Sequence, residues 1–349
     1  MLDEIRQQPQ VLQGILANPP PALVHLRKRF SKNPPTVIVI VARGTSNNAG
    51  LFARYLFEIT LGIPTFLAAP SISTLYRRQA VPSSALVMGV SQSGESTDIN
   101  AYMKVAKGTG ALTLGITNEA GSTLAALVDE VLLTQAGTES SVAATKTYTA
   151  QLMTLYCLAQ ALGSKLPDDA LKKIPGAVRT QLDHEADVEQ LAQDYLEMSH
   201  AIVIGRGLNF SNSFEFALKL METNYVVAAA FSAANFAHGP IAMVEEGFPV
   251  FVFTPPGPTS IETGKLVTRL AASCVDTIGI GPAGVLADLP CAHRIELHGP
   301  TPLAPGYPAD VLTPICSIVP AQLFAAHLAA VKGLDPDHPR MLSKVTHTM

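Results

Sequence analysis

The chain has 349 residues, about twice the usual length of one domain, so two folded units are expected. Hydrophobic residues make up 48% and charged residues 15%, which gives it ample apolar side chains to bury and excludes a disordered chain. With 24 basic against 28 acidic residues the net charge is −4, which excludes a binder that grips nucleic acid through global positive charge.

Residues 1–19 are expected to be an N-terminal helical segment. Their start, Met1-Leu2-Asp3-Glu4-Ile5-Arg6, is acidic and lacks the basic-then-apolar order of a signal peptide. Strand and helix signals then alternate through 20–165. The run 36–41 (TVIVIV) is short, continuous and β-branched, as a buried parallel strand should be, and it ends at Arg43-Gly44. A helical pattern covers 47–59. The run 85–90 (ALVMGV) reads as the next strand, ending at Ser91-Gln92-Ser93-Gly94, before a helix over 96–108 and a strand over 112–116. A connecting helical segment spans 166–194, a second α/β unit 195–332, and a tail carrying Lys344 completes the chain at 333–349. This alternation predicts an α/β fold of two doubly wound parallel sheets. The cysteines at 157, 274, 291 and 316 form no Cys-x-x-Cys and read as reduced core residues of a cytoplasmic protein. Pro64 interrupts 59–69, while Pro320, Gln322 and His327 interrupt 315–331, so no apolar run of about 20 residues points to a membrane.

The second unit repeats the first at an offset of 163 residues. The run 39–43 with Gly44 returns as 202–206 with Gly207. Val90, Gly94 and Ser96 return as Phe253, Gly257 and Thr259. The run 113–116 (TLGI) reappears one residue later as 277–280 (TIGI). Several features at nearly one offset indicate an internal duplication.

Ligands of open parallel sheets bind beyond the carboxyl ends of the strands. Two polar stretches of the first unit run from a strand into a helix there: Gly44-Thr45-Ser46-Asn47-Asn48 and Ser91-Gln92-Ser93-Gly94-Glu95-Ser96. A third hydroxyl loop follows at 139–145, with Val142, Ala143 and Ala144 inside it. Backbone N–H groups at a helix start, flanked by hydroxyls, can hold an anion without a charged side chain, and a phosphate on a small molecule fits. No Gly-x-Gly-x-x-Gly follows a strand and no Walker sequence occurs, so neither a dinucleotide nor ATP is expected, and no cofactor or metal. The second unit replaces these serines with Thr254-Pro255-Pro256-Gly257-Pro258. It carries instead Glu215, Lys219 and Glu222 on one helical face, then His238-Gly239-Pro240. Such a charged face is ordinarily solvated and such an i, i+4 pair an ordinary helix support.

Together these motifs resemble the tandem sugar-isomerase (SIS) domain family, in particular the isomerase half of glucosamine-6-phosphate synthase. The resemblance rests on Gly44-Thr45-Ser46, Ser91 to Ser96, Val142-Ala143-Ala144-Thr145-Lys146, Ala217 to Glu222, His238-Gly239-Pro240 and Pro339-Arg340-Met341-Leu342-Ser343-Lys344. It implies that Thr45, Ser46, Ser91, Gln92, Ser93 and Ser96 hold a sugar phosphate, with Val142 and Ala143 beside the sugar. It implies that Glu222 moves a proton between C1 and C2, supported by Lys219. His238 would assist ring opening from the neighbouring subunit of a homodimer, and Lys344 matches a lysine that forms a Schiff base with the ketose. With Met1-Leu2 at the start and no cysteine before Cys157, the chain is expected to be without the glutaminase nucleophile of the full synthase. The expectation is a deaminase converting glucosamine 6-phosphate to fructose 6-phosphate and ammonia. A fructosamine-phosphate deglycase, a simple aldose–ketose isomerase and a phosphosugar-sensing module are the alternatives. Ala144 stands where the synthase has serine, and Asn235-Phe236-Ala237 where it has Glu-Leu-Lys, so the sugar and the fate of its nitrogen stay open.

Overall fold

The short apolar runs become strands buried on both faces, as parallel sheets covered by helices require. A computed structural model describes residues 1–78 and 81–344. The first sheet contains β1 (Val37–Ala42), β2 (Thr65–Leu67), β3 (Ala85–Val90), β4 (Leu112–Thr117) and β5 (Glu130–Leu133). Their order is β2-β1-β3-β4-β5 and every pairing is parallel. The second sheet contains β6 (His200–Gly205), β7 (Val227–Ser232), β8 (Val250–Phe253), β9 (Thr277–Pro282) and β10 (His293–Leu297). It is ordered β10-β9-β8-β6-β7, also parallel throughout, which is the first order counted from the other edge. The duplication therefore extends to topology. His200 against Val37, and Ser260 against Thr97 at the starts of equivalent helices, keep the 163-residue offset.

Two compact units are formed. One gathers Gln10–Glu139, Lys146–Leu166 and the tail from Met341 around the first sheet; the other gathers Met1–Pro9, Ser140–Thr145 and Pro167–Arg340 around the second. In the first unit Val39, Val41, Val87, Ile99 and Met103 form the core on one side of the sheet. The helices Gly44–Leu61 and Lys146–Ala161 pack on each other, with Tyr156 edge-on to Phe52 at 5.2 Å between ring centres. Such a pair contributes about 1 kcal/mol beyond its buried area. In the second unit Ile202, Ile204, Phe236, Val250, Val252 and Leu266 play the corresponding part.

Three expectations are corrected here. The Gly44–Leu61 helix starts three residues before the predicted 47, because Gly44 takes φ +50° and lets the chain turn straight into it. Thr45 and Ser46 thus lie in its first turn. The interrupted run 315–331 is one continuous helix, Thr313–Val331, long and apolar enough to cross a membrane by length and composition; 89% of its most apolar window is buried inside the protein. Pro320 inside it costs about 3 kcal/mol. Packing against the helices Glu185–Asp194 and Phe210–Asn224 offsets that loss. Of the cysteines, Cys157 and Cys316 are buried as expected, but Cys274 is exposed and Cys291 partly so.

Candidate active site

Each sheet reverses its winding at one point, between β1 and β3 in the first unit and between β6 and β8 in the second. That crevice is where ligands of such sheets bind. In the first unit Ala42 pairs with Val90, so the residues that follow, Arg43 and Ser91, leave the sheet at the same level. Ser46 is buried, and Gln151 of the Lys146–Ala161 helix donates to its Oγ at 2.9 Å. Ser91, buried, and Ser96 hold their hydroxyls 3.3 Å apart, and Ser91 Oγ also accepts from the Gly94 N–H at 3.1 Å. Ser93 Oγ accepts from the Glu95 N–H at 3.2 Å, while the Gln92 carbonyl accepts from Asn118 N–H at 3.0 Å and Thr117 Oγ1 at 3.1 Å. Gly94 has φ +67°, and a Cβ there would stand 2.3 Å from Ser122 Oγ, so the loop requires glycine. Arg43 is engaged with buried Asp98, placing Nε at 2.7 Å and a terminal guanidinium nitrogen at 2.6 Å from the same oxygen. The crevice thus offers hydroxyls, backbone amides and two helix starts, Gly44–Leu61 and Thr97–Gly108. Nothing lies within 4 Å of where a Gly44 Cβ would be, so it is open there.

The same unit receives the tail. Lys344, 29% exposed, points its ammonium at Glu139 Oε2 over 3.3 Å, and the Glu139 side chain is wholly buried. Glu139 Oε1 accepts from the Thr147 N–H at 3.1 Å, in the first turn of the Lys146–Ala161 helix. Lys344 is therefore half-buried and ion-paired, not a solvated tail lysine.

The second unit has the same crevice, but its own chain closes it. Gly207 (φ +61°) and Gly257 (φ +101°) keep the left-handed turns of their counterparts. A Cβ on Gly257 would meet the backbone nitrogens of Ala309 and Asp310 at 3.4 Å, and one on Gly207 would meet Asp310 Oδ2 at 3.8 Å. Asp310 is 3% exposed, and burial pushes its carboxyl above the ordinary carboxylate value. The ionisable face of the Phe210–Asn224 helix is not solvated, contrary to the ordinary expectation. Glu215 and Lys219 are both fully buried; Lys219 Nζ is 3.5 Å from Glu215 Oε1 and donates to Glu222 Oε2 at 2.6 Å. Only Glu222 reaches the surface, at 22% exposure. One ammonium thus serves two carboxylates and fixes the one that solvent can reach. His238 is exposed, and its Nδ1 lies 2.7 Å from the Ala234 carbonyl. A carbonyl only accepts, so Nδ1 donates to it. Val142 and Ala143 belong to this second unit, where the Val142 N–H donates to the Asp337 carbonyl at 3.1 Å and Ala143 is buried.

The structure thus gathers Thr45, Ser46, Ser91, Gln92, Ser93, Ser96 and Lys344 in the first unit, and Lys219, Glu222, His238, Val142 and Ala143 in the second. Sequence reasoning missed Glu139, Gln151, Asp98 and Asp310. Glu139 opens the third hydroxyl loop, Gln151 lies six residues past its end, and Asp98 follows Ser96 by two positions, so proximity to those motifs was the available signal. Asp310 has none, since it comes from a loop far along the chain.

The SIS domain family model matches residues 34–161 and again 195–332. The chain is 37% identical over 363 residues to glutamine–fructose-6-phosphate aminotransferase [isomerizing] of Gloeobacter violaceus, covering 99% of this chain and 58% of that one. It is 37% identical over 307 residues to the enzyme of that name from Methanothermobacter thermautotrophicus, 88% and 51% covered. The chain therefore spans just over half the length of these curated relatives. Among solved structures, the C-terminal domain of glucosamine-fructose-6-phosphate aminotransferase from Francisella tularensis superposes with a TM-score of 0.87 at 27% identity, over 97% of this chain and 98% of that one. Glucosamine-6-phosphate deaminase from Thermotoga maritima shares the fold, with a TM-score of 0.76 at 22% identity over 99% of both chains.

Proposed function

Because the chain belongs to the SIS domain family, through both of its units, we propose that it is a phosphosugar aldose–ketose isomerase/deaminase. Its substrate is glucosamine 6-phosphate and its products are fructose 6-phosphate and ammonia. The observation that carries the chemistry is Glu222, reachable from solvent and fixed at 2.6 Å by the buried ammonium of Lys219. The open crevice of hydroxyls and backbone amides between β1 and β3 supports the phosphate. Thr45, Ser46, Ser91, Gln92, Ser93 and Ser96 take it there, with no lysine or arginine committed to it. Val142 and Ala143 line the sugar.

Imidazole at His238 relays the proton that opens the ring. Glu222 takes the proton from C2 of the open aldehyde, giving an enolamine, and returns it to C1, leaving an imine at C2. Lys219 offsets the negative charge that grows during this transfer. Water adds to C2, the C–N bond breaks, and ammonia leaves as the ketone forms. Lys344 meets the carbonyl end of the sugar as an amine. The exposed position of His238 supports a homodimer in which each copy lends this residue to the other.

Purified protein given glucosamine 6-phosphate should release ammonia and fructose 6-phosphate in equal amounts. Glu222→Gln should lower that rate by about 10²- to 10⁴-fold, the ordinary contribution of a positioned acid–base group. A Glu222→Gln protein as active as the original would sink the assignment. So would a chain inert on a panel of amino and neutral sugar phosphates. Isomer without ammonia would move the chain among the simple aldose–ketose isomerases, and released amino acid among the deglycases.

A further inference from the structure

Glu139, in the first unit, is a buried and firmly held carboxylate that the proposed reaction does not use. Glu139 ends a short loop after β5 in which Gln135 (φ +52°) and Gly137 (φ +68°) are both left-handed. A non-glycine residue in that region costs about 1 kcal/mol or more and persists where its surroundings over-determine it. They do so here. Asn118, just beyond β4, accepts from Thr134 Oγ1 at 3.0 Å and from the Ala136 N–H at 2.8 Å, and donates to the Gly137 carbonyl at 2.9 Å. Gln135 reaches the Asn18 carbonyl at 2.9 Å, and the buried ammonium of Lys146 donates to the Thr138 carbonyl at 2.6 Å. The loop is pinned at five consecutive residues, 134–138, before it delivers Glu139 to the start of the Lys146–Ala161 helix.

What Glu139 holds is less secure by itself. Met341 is fully exposed with φ +60°, and Leu342 is 46% exposed, so the tail does not dock by burying its apolar side chains. Its ammonium at Lys344 lies on Glu139 Oε2. The other oxygen, Oε1, is bound by the Thr147 N–H. Four residues further along that helix, on the same face and about 6 Å away, stands Gln151. Gln151 donates to Ser46 Oγ, in the first turn of the helix that follows β1. One helix thus anchors both a hydroxyl of the phosphate crevice and the carboxylate that holds the tail amine.

We propose that Glu139 is the positioning residue of Lys344, setting its amine at a fixed place relative to the phosphate-binding hydroxyls through the first two turns of the Lys146–Ala161 helix. This rests on the reading that Lys344 acts at the carbonyl end of a phosphosugar. A buried carboxylate is a strong tether because it is desolvated, already oriented by a backbone N–H, and costly to leave without a cation.

The test compares Glu139→Gln, Glu139→Asp and Lys344→Ala with the parent chain, after thermal melts show that each is folded. Glu139→Gln keeps an oxygen for the Thr147 N–H but turns the other end into a donor facing an ammonium. Its kcat should fall about 10- to 100-fold, the cost of misplacing a reacting group by about 1 Å. Its affinity for inorganic phosphate should stay unchanged, and Glu139→Asp should restore part of the rate. Lys344 should also be acetylated several-fold faster by limiting acetic anhydride, followed by peptide mass spectrometry against the other lysines. Parental turnover in Glu139→Gln overturns the proposal, and so does a lost rate with unaltered labelling of Lys344. If Lys344→Ala keeps full activity, or no phosphosugar is turned over, it is the functional reading that fails. The labelling then decides by itself whether Glu139 holds the amine, and an unchanged rate rejects it.

Discussion

Asp310 brings a carboxyl into the interior of the second unit, where burial raises its proton affinity above the ordinary value of 3.8. The sign of its effect on stability follows. Below the unfolded value both states hold the proton and the residue is neutral in the balance. As pH rises through the raised folded value, the folded state must give up a proton it holds more tightly than the unfolded chain does, and stability is lost. Asp310→Asn should therefore melt higher than the parent near neutral pH, the difference closing toward about pH 3, where both forms of residue 310 are uncharged. An equal gap at both ends of a pH series of melts would show that packing, not ionisation, governs the site. Glu215 and Lys219 are buried as well, yet as a pair, and the uncompensated cost that makes Asp310 a liability is partly offset by their attraction. Glycine matters for a different reason: Gly94 leaves room that Ser122 already fills.

Among elements, the two strand-to-helix turns of the first unit divide the labour differently from their copies. The loop after β3 is held in shape from within and from β4, by Ser91 Oγ on the Gly94 N–H and by Thr117 and Asn118 on the Gln92 carbonyl. Ser93→Ala removes a hydroxyl near the proposed phosphate while leaving those supports intact. A hydrogen bond to a charged group contributes about 1.5–3 kcal/mol, so phosphate affinity should weaken roughly tenfold or more with kcat nearly unchanged. Calorimetry with fructose 6-phosphate and steady-state kinetics would check both halves; a fall in kcat with unchanged affinity would place Ser93 outside the phosphate site. The turn after β6, the copy of the open turn at Gly44, keeps a left-handed glycine in Gly207 but meets Thr259 and Asp310 where Gly44 meets nothing within 4 Å. A duplicated element has thus been retained as architecture and closed as a binding site.

At the scale of the whole molecule, the proposed dimer makes a prediction that no single chain can satisfy. If His238 serves the neighbouring copy, a protein carrying His238→Asn and one carrying Glu222→Gln are each nearly inactive. Mixed and refolded together they should regain activity, because a mixed dimer contains one site with both residues intact. Recovery approaching a quarter of the parental rate is expected from random pairing of equal amounts, where about half the dimers are mixed and half their sites restored. No recovery, with mixed dimers demonstrated by native mass spectrometry, would return His238 to its own chain's site.

The alternation of β-branched runs with helical patterns, and their recurrence at 163 residues, determined the α/β class, the duplication and the parallel sheets. These follow from local periodicity and from crossover geometry, which a linear reading can follow. The hydroxyl-rich turns were legible for the same reason, since strand, loop and helix are contiguous there. Edge strands such as β2 and β5 were not, because three or four residues carry too little periodicity and exist through pairing with β1 and β4. Sequence spacing put Glu215, Lys219 and Glu222 on one face. Only packing decided that two of the three lie wholly inside and that the third is the one exposed. The chain likewise gave no sign that Asp310 closes one crevice or that Glu139 receives Lys344, because both depend on residues about 50 to 200 positions apart meeting once the backbone has folded. Burial and long-range contact are properties of the packed solid, and the tertiary structure alone assigns them.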